Sequence, residues 1–240
     1  MNKKISNKKG FWYKTRQILL KIIRWFFIVS ISWVILARFI PIYFTPLMII
    51  RATESIFESE VPKIKKNWTP IEKISPKMIQ AVVASEDNLF MQHHGFDTKA
   101  IEKAIKHNEK SKRLRGASTI SQQTAKNVFL WPNRSWLRKG LETYFTVLIE
   151  FFWSKKRIME VYLNVIETGN GVYGVEKAAN IYFGTTAIKL NGSQSALIAV
   201  CLPNPRKFDP AHPSPYIIRR KNKIVNLMGK IEKINFDNDK

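Results

Sequence analysis

Apolar residues recur at helical spacing along most of this chain, and one stretch departs from that pattern by being apolar on every side. From Trp25 to Ile50 the sequence is broken by a single charge, Arg38. Those 26 residues exceed the ~20 needed to cross a bilayer core and the roughly 7–15 of a signal-peptide core. Residues Met1 to Gln17 carry Lys3, Lys4, Lys8, Lys9, Lys14 and Arg16 and no acid, and the first acid is Glu54. A basic leader before an apolar span places the N-terminus in the cytoplasm and the remainder outside. Arg38, Pro41 and Pro46 leave two forms of the span open. In one it runs from Ile18 to Phe39 with Arg38 snorkelling, and in the other it kinks at the prolines. The expected division is a leader over 1–17, an anchor over 18–50, a connector containing Pro62 over 51–74, and a catalytic domain over 75–240.

Beyond the connector the pattern predicts a mainly α domain. Ser75-Pro76 reads as an N-cap and first turn, with Ile79, Val82 and Val83 on the apolar face and an end near Glu86. A more polar helix is expected over Asp97–Lys112, followed by the cations Lys106, Lys110, Lys112, Arg113 and Arg115 around its end. From Ser118 the helical spacing resumes with Gln123, Lys126 and Asn127 on one face, and Phe129-Leu130-Trp131-Pro132 stops it. Leu141, Tyr144, Phe145, Leu148, Ile149 and Phe152 form the clearest stripe, which puts Glu142 in a first turn beside the core. Ser154 caps a helix bearing Ile158, Val161, Tyr162 and Val165. Further helices are expected over Val175–Phe183, closed by Gly184, and Ser193–Leu202, closed by Pro203 and Pro205. A last one opens at Ser214-Pro215 with Ile217, Ile224, Val225, Met228 and Ile231 on one side. No long alternating strand pattern occurs.

The chain has 240 residues, 45% of them hydrophobic, which excludes a disordered tail protein. Its 40 Lys and Arg against 18 Asp and Glu give a formal charge of +22 and point to an anionic partner. Much of that charge sits in the leader and the last helix, where an anionic lipid surface accounts for it, and no nucleic-acid module is visible. The single cysteine, Cys201, lies in an apolar run and excludes an internal disulfide framework.

Candidate chemistry centres on two carboxylates. Glu86 lies in Ser85-Glu86-Asp87, Glu142 follows Arg138-Lys139-Gly140-Leu141, and between them runs the polar, cation-framed segment Arg115 to Asn127. Such a pair around a cationic cradle suits a reaction in which a hydroxyl loses a proton and an anionic group departs. A solvated helix-face glutamate is the plain alternative for Glu142, and spacing alone does not separate the two. Aromatic and basic residues alternate through Trp131, Arg134, Trp136, Arg138 and Lys139, as on a surface resting at lipid headgroups. Gly169-Asn170-Gly171-Val172-Tyr173-Gly174 matches G-x-G-x-x-G but lacks a preceding strand and a following acid, so a tight helix-to-helix turn is expected. His93-His94 has no metal-ligand spacing to His107 or His212, and a hydrogen-bonding role for His93 is expected instead.

Taken together, several stretches resemble the glycosyltransferase family 51 peptidoglycan transglycosylases. The first motif is Glu86-Asp87-Asn88-Leu89-Phe90-Met91-Gln92-His93-His94-Gly95, and the second runs from Gly116 to Asn127. The third is Arg138 to Glu142, the fourth Lys156 to Asn164, and the fifth Gly171 to Gly174 with Ala178-Ala179 and Tyr182-Phe183-Gly184. The motifs fall in order within residues 75–210. The chain ends at Lys240, with no room for a transpeptidase domain, so the resemblance is to the monofunctional biosynthetic enzymes. Two departures are Gln194, where the family often has glutamate, and Ser121, usually threonine. The first is expected to weaken a local buried bond.

The resemblance implies a lysozyme-like helical glycosyltransferase domain behind one transmembrane helix at the cytoplasmic membrane. It implies lipid II as substrate and a lipid-linked glycan chain as donor, with membrane lipids, other cell wall synthases and division proteins as partners. Glu86 would be the general base on the acceptor hydroxyl, and inversion would give a β-1,4 product. Lys126, Arg134, Arg138 and Lys139 would stabilise the departing pyrophosphate, with Glu142 orienting them or helping to hold a divalent Mg or Mn ion. No cofactor is otherwise required. Ser118, Gln123 and Asn127 would bond sugar or phosphate oxygens, and Asp87, Phe90, His93 and Gly95 would support the site. The rival readings are a lytic transglycosylase or muramidase, which cleaves finished glycan, and a membrane-anchored scaffold with no chemistry.

Overall fold

The computed structural model describes residues 2–57, 64–111, 116–133 and 135–237, the side chains of 2–11 excepted. Pro62, Lys112, Arg113, Arg115 and Arg134 lie outside the described residues. The chain divides into two compact units, Met1–Ile40 and Pro41–Lys240. The first is the helix α1, Asn2–Phe39, within which Trp12–Phe39 is long and apolar enough to cross a membrane. It ends before Pro41 and does not kink through the prolines. Pro46 instead opens a separate helix, α2 (Pro46–Phe57), in the second unit, where Met48 is fully buried. Residues 41–50, the end of the expected anchor, lie in the second unit, and Pro46 takes a first helical turn, where proline is accepted.

The second unit is built from helices with short connections. These are α3 (Pro76–Glu86), α4 (Thr98–Lys110), α5 (Ile120–Phe129), α6 (Trp136–Phe152), α7 (Lys155–Val165), α8 (Val175–Phe183), α9 (Gly192–Cys201) and α10 (Pro215–Met228). Their starts follow local chemistry. Ser75, Asp97, Ser135, Ser154 and Ser214 each accept a hydrogen bond from a first-turn amide. Thr119 and Asn191 form reciprocal capping boxes with Gln122 and Gln194. Gln194 therefore stands at a helix start, where its hydrogen bonds with Asn191 are exposed and not buried. Helix α6 begins five residues before Leu141, so Glu142 lies in the second turn and not the first.

Two helix groups form the core. Helices α3, α9 and α10 pack on one another, and α5 packs on both α6 and α7. Phe90, Met78, Ile120, Ile149, Met159 and Tyr162 are fully buried between these elements. Each such apolar side chain contributes roughly 1.5–3 kcal/mol. On α10 the buried positions are Ile217 and Ile224. Val225 is exposed and Ile231 lies beyond the helix end.

A small sheet of order β1-β3-β2 joins the connector to this core. Strand β1 (Lys65–Lys66) pairs in parallel with β3 (Val172–Tyr173), and β2 (Glu167–Gly169) pairs antiparallel with β3. The G-x-G-x-x-G stretch is therefore a short hairpin between α7 and α8, and not a direct helix-to-helix turn. Its last glycine has a steric reason. Gly174 holds φ +80, and a Cβ there would stand 2.9 Å from the Asn164 carbonyl oxygen. Asn164 in turn exchanges 2.8 Å hydrogen bonds with the Thr69 main chain, fastening the connector to α7.

Gly174→Ala should destabilise the domain by roughly 1–3 kcal/mol, the cost of a side chain in a glycine-only backbone region. Thermal unfolding reads this directly, and a melting temperature equal to the wild type would contradict the steric account.

Candidate active site

The site forms where the two helix groups meet. Glu86 is the last residue of α3, at the negative end of the helix dipole, which disfavours a carboxylate. It is partly buried, and its hydrogen bonds come from neutral groups: Gln123 Nε2 donates at 3.0 Å and the Ser85 hydroxyl at 3.2 Å. Tyr162 Oη donates to Gln123 Oε1 at 3.3 Å, which fixes the amide so that its nitrogen faces Glu86. Burial pushes the Glu86 carboxyl above the usual carboxylate range. The bonds from Gln123 and Ser85 and the charge of Arg220 offset this only in part, and Asp87 adds to the rise. A carboxylate held this way is a stronger base than an exposed one.

Asp87 next door has a different task. It is buried, and its carboxylate accepts from His93 Nε2 at 2.9 Å and from the Ile120 amide at 3.0 Å. His93 Nδ1 accepts from the Gly95 amide at 3.1 Å, so the ring proton sits on Nε2 and points at Asp87. Thr119 Oγ1 donates to the Gly95 carbonyl at 2.7 Å. Gly95 has φ +87, and a Cβ there would meet Thr146 at 2.8 Å. Lys155 completes the clamp from α7. Its ammonium bonds the His93 carbonyl at 2.6 Å and Glu150 at 2.8 Å, and lies 4.7 Å from the centre of the buried Phe90 ring. Ser121 Oγ donates to the same Glu150 carboxylate. Asp87, Phe90, His93 and Gly95 thus all belong to one lock between α3 and α5.

On α6, buried Glu142 is gripped by Arg138 at 2.6 Å and by Lys139 at 2.5 Å. Lys126 faces this cluster from α5. Burial lowers its pKa, opposed mainly by the charge of Glu142 and less by that of Glu86, while Arg138 and Lys139 lower it further. Lys126 therefore senses both carboxylates. Arg138 and Asn127 each keep a buried N–H donor, Nε and Nδ2, without a hydrogen-bond partner among the described residues. Ser118 is exposed just before α5. The structure brings Glu86, Gln123, Lys126, Arg138, Lys139 and Glu142 to one region, with Asn127 buried one turn beyond Gln123.

The donor set around Glu142 does not suit a resident divalent ion. Both carboxylate oxygens are taken by cations, and among the described residues no three His, Cys, Asp or Glu side chains form a metal-binding group. The aromatic surface is also distributed differently from expectation. Phe129 stacks on Phe145 at 4.6 Å inside the domain. Trp136 is 93% exposed, and Leu137, Val147 and Phe151 on α6 extend that apolar surface.

One charged neighbour of Glu86 was not singled out in the sequence. Arg220 on α10 acts electrostatically on Glu86, and its guanidinium lies 3.3 Å from the Tyr216 hydroxyl. The signal was present. Arg220 is three residues after Ile217 and four before Ile224, a cation on the packed stripe of α10.

Asp87→Asn should cost about 1–3 kcal/mol of folding stability, because it removes the charge that strengthens both bonds and puts an NH2 donor where a second accepting oxygen faces the His93 N–H. Urea unfolding reads the loss, and a change below about 0.5 kcal/mol would remove Asp87 from the lock.

With this geometry in view, the comparisons are specific. The family model described as Transglycosylase matches residues 54–229. A biosynthetic peptidoglycan transglycosylase of Bacteroides thetaiotaomicron is 57% identical over 208 residues, covering 87% of this chain and 84% of that protein. One from Bdellovibrio bacteriovorus is 54% identical over 215 residues, covering 90% and 86%. One from Pseudomonas fluorescens (strain SBW25) is 47% identical over 212 residues, covering 88% of each chain. With a family match across most of its length and relatives this similar end to end, the chain belongs to the transglycosylase family.

Proposed function

We propose that this protein polymerises lipid II into β-1,4-linked glycan strands, releasing undecaprenyl pyrophosphate with inversion at the sugar. The observation that carries the reading is the contrast between a desolvated Glu86 and a cation-rich Glu142 cluster in one site. Glu86 takes the proton from the acceptor 4-hydroxyl as that oxygen attacks the donor's anomeric carbon. The bond to the pyrophosphate breaks, and its charge is received by Lys126, Arg138 and Lys139. Arg134 belongs to the same sequence motif region and is assigned to this cluster on that ground alone.

Gln123 orients Glu86, and Glu142 holds the cations in place. Ser118 reaches sugar or phosphate oxygens from its exposed position, and the buried amide of Asn127 offers a donor to the same region. A Mg or Mn ion serving the reaction would add positive charge for the departing pyrophosphate, and Glu142, with both oxygens bonded by Arg138 and Lys139, would not be its ligand. The chain is anchored in the cytoplasmic membrane by α1, with the N-terminus inside and the catalytic domain outside. There it works beside other cell wall synthases and division proteins. The exposed apolar surface of α6 and Trp136 supports a site at headgroup height.

Glu86→Gln should abolish polymerisation of lipid II while the fold survives. Turnover within tenfold of wild type would remove Glu86 as the base. The same substitution has a signed effect on stability. A carboxyl whose pKa is raised on folding loses stability as pH climbs from its unfolded to its folded value. The variant should therefore gain stability over wild type at neutral pH, and the gain should vanish as pH falls below the ordinary carboxylate range.

The rate should rise with pH as Glu86 ionises, with a midpoint above that of an ordinary carboxylate, and fall again as Lys126 loses its lowered-pKa proton. Arg220→Gln removes a cation that favours the charged form of Glu86, so it should move the acid limb upward. A limb that stays put would show that Arg220 has no influence on the base.

A further inference from the structure

A cleft of about 650 Å³ lies in the second unit and shares no residue with the Glu86–Glu142 site. Tyr43, Lys66, Asn67, Trp68, Lys73 and Thr186 are among its lining residues. Lys66 is the unusual one. Its ammonium donates to the main-chain carbonyls of Ile42 and Tyr43 and lies 5.7 Å from the Trp68 ring centre. All of these partners are neutral. Burial without a counter-ion brings its pKa down to about 8. Glu176 also borders the cleft, but its oxygens are committed. One accepts from the Ala187 amide at 2.7 Å and the other from Asn180 Nδ2 at 3.1 Å. The exposed Lys73 adds a second positive charge, and Asn67 and the exposed Thr186 offer an amide and a hydroxyl.

We propose that this cleft seats the phosphate-bearing headgroup of an anionic membrane lipid, with Lys66 and Lys73 as its cations. The proposal rests on reading α1 as a membrane span, and it is separate from the chemistry at Glu86. Chain connectivity supplies the argument for a lipid over other anions. Ile42 and Tyr43 are the third and fourth residues after Phe39, where the apolar helix ends. At no more than ~3.6 Å per residue, the carbonyls that hold Lys66 stay within roughly 15 Å of that end. Connectivity therefore keeps this lysine within reach of the membrane face on which the lipid phosphates lie. Tyr43, 59% exposed, and Trp68 are the residue types that settle at this level. A phosphate oxygen would give the Lys66 ammonium the counter-charge it lacks, with Asn67 and Thr186 bonding the remaining oxygens.

The test uses the full chain in nanodiscs of mixed phosphatidylglycerol and phosphatidylcholine, reading by native mass spectrometry which lipids remain bound. Wild type should retain phosphatidylglycerol preferentially. Lys66→Gln and Lys73→Gln should lower that preference by about fivefold for each lysine removed. Lys66→Arg should keep it, as should the charge-matched control Lys230→Gln with Lys233→Gln. Lys73 is exposed and its substitution cannot disturb packing, so the single variant remains informative where Lys66→Gln fails to fold. Equal lipid retention by the cleft variants and the control overturns the proposal. Displacement of the lipid by millimolar inorganic phosphate would mark a soluble-anion site and overturn it as well. Failure of the wild type to enter the bilayer would defeat the span reading and the proposal together. Lipid II polymerisation by the same variants, tested separately, leaves the assignment of Glu86 standing or falling on its own.

Discussion

The geometry of the site depends on one buried carboxylate whose hydrogen bonds join two helices. Asp87 closes α3 and accepts from both His93 and the first amide of α5, so a single side chain fixes two helices that belong to different packing groups. Glu86 and Gln123 are one residue before and three residues after the two ends of that link. Their 3.0 Å hydrogen bond follows from it. The neighbouring contacts point the same way. Thr119, Gly95, Lys155 and Glu150 hold the loop after Asp87 against α5, α6 and α7. An acid-base group is only as well aimed as the shell behind it.

The structure treats its two prominent glutamates in opposite ways, and the difference is electrostatic. Glu142 has two cations in contact, which commit both of its oxygens. Glu86 has amide and hydroxyl donors and a more distant guanidinium, too little to offset its burial. A carboxylate paired like Glu142 would be a poor base, and one exposed to an unscreened positive cluster would become so. Placing the cations around Glu142 keeps the base basic while leaving them free to meet a departing anion. Lys126, influenced by both carboxylates, marks where those two requirements meet.

Much of this was legible in the chain because it is written locally. The caps Ser75, Ser154 and Ser214, the stop at Gly184 and the stripe around Phe145 each depend on residues within one or two turns. A hydrogen-bonding role for His93 and a hold of Glu142 on Arg138 were readable because Asp87 and His93, like Arg138 and Glu142, lie within a few positions of each other in one motif. What could not be read is tertiary. Nothing near Gly169 announces that Lys65–Lys66 will pair with Val172–Tyr173, about a hundred residues later, and turn a loop into a sheet. Arg220 was passed over because the last helix looks like a basic surface until α3 and α9 are packed against it. The apolar run was extended to Ile50 because composition alone does not reveal that Pro46 begins a new helix in another unit.

The same distinction explains why charge count was a blunt guide to function here. A formal charge of +22 suggests one broad attraction for anions, yet the cations occupy very different settings. Lys155 is largely buried against a carboxylate partner, so its net effect is to position neighbours. Lys126 is desolvated, with a pKa that falls because burial outweighs its acidic neighbours, which makes it responsive to an arriving anion. Lys66 is desolvated against neutral carbonyls, with still less to balance it. A cation binds an incoming phosphate in proportion to the charge its own protein leaves unneutralised. On that criterion, among the described residues, the surroundings of Lys126 and of Lys66 suit such a ligand, and they are built from different elements.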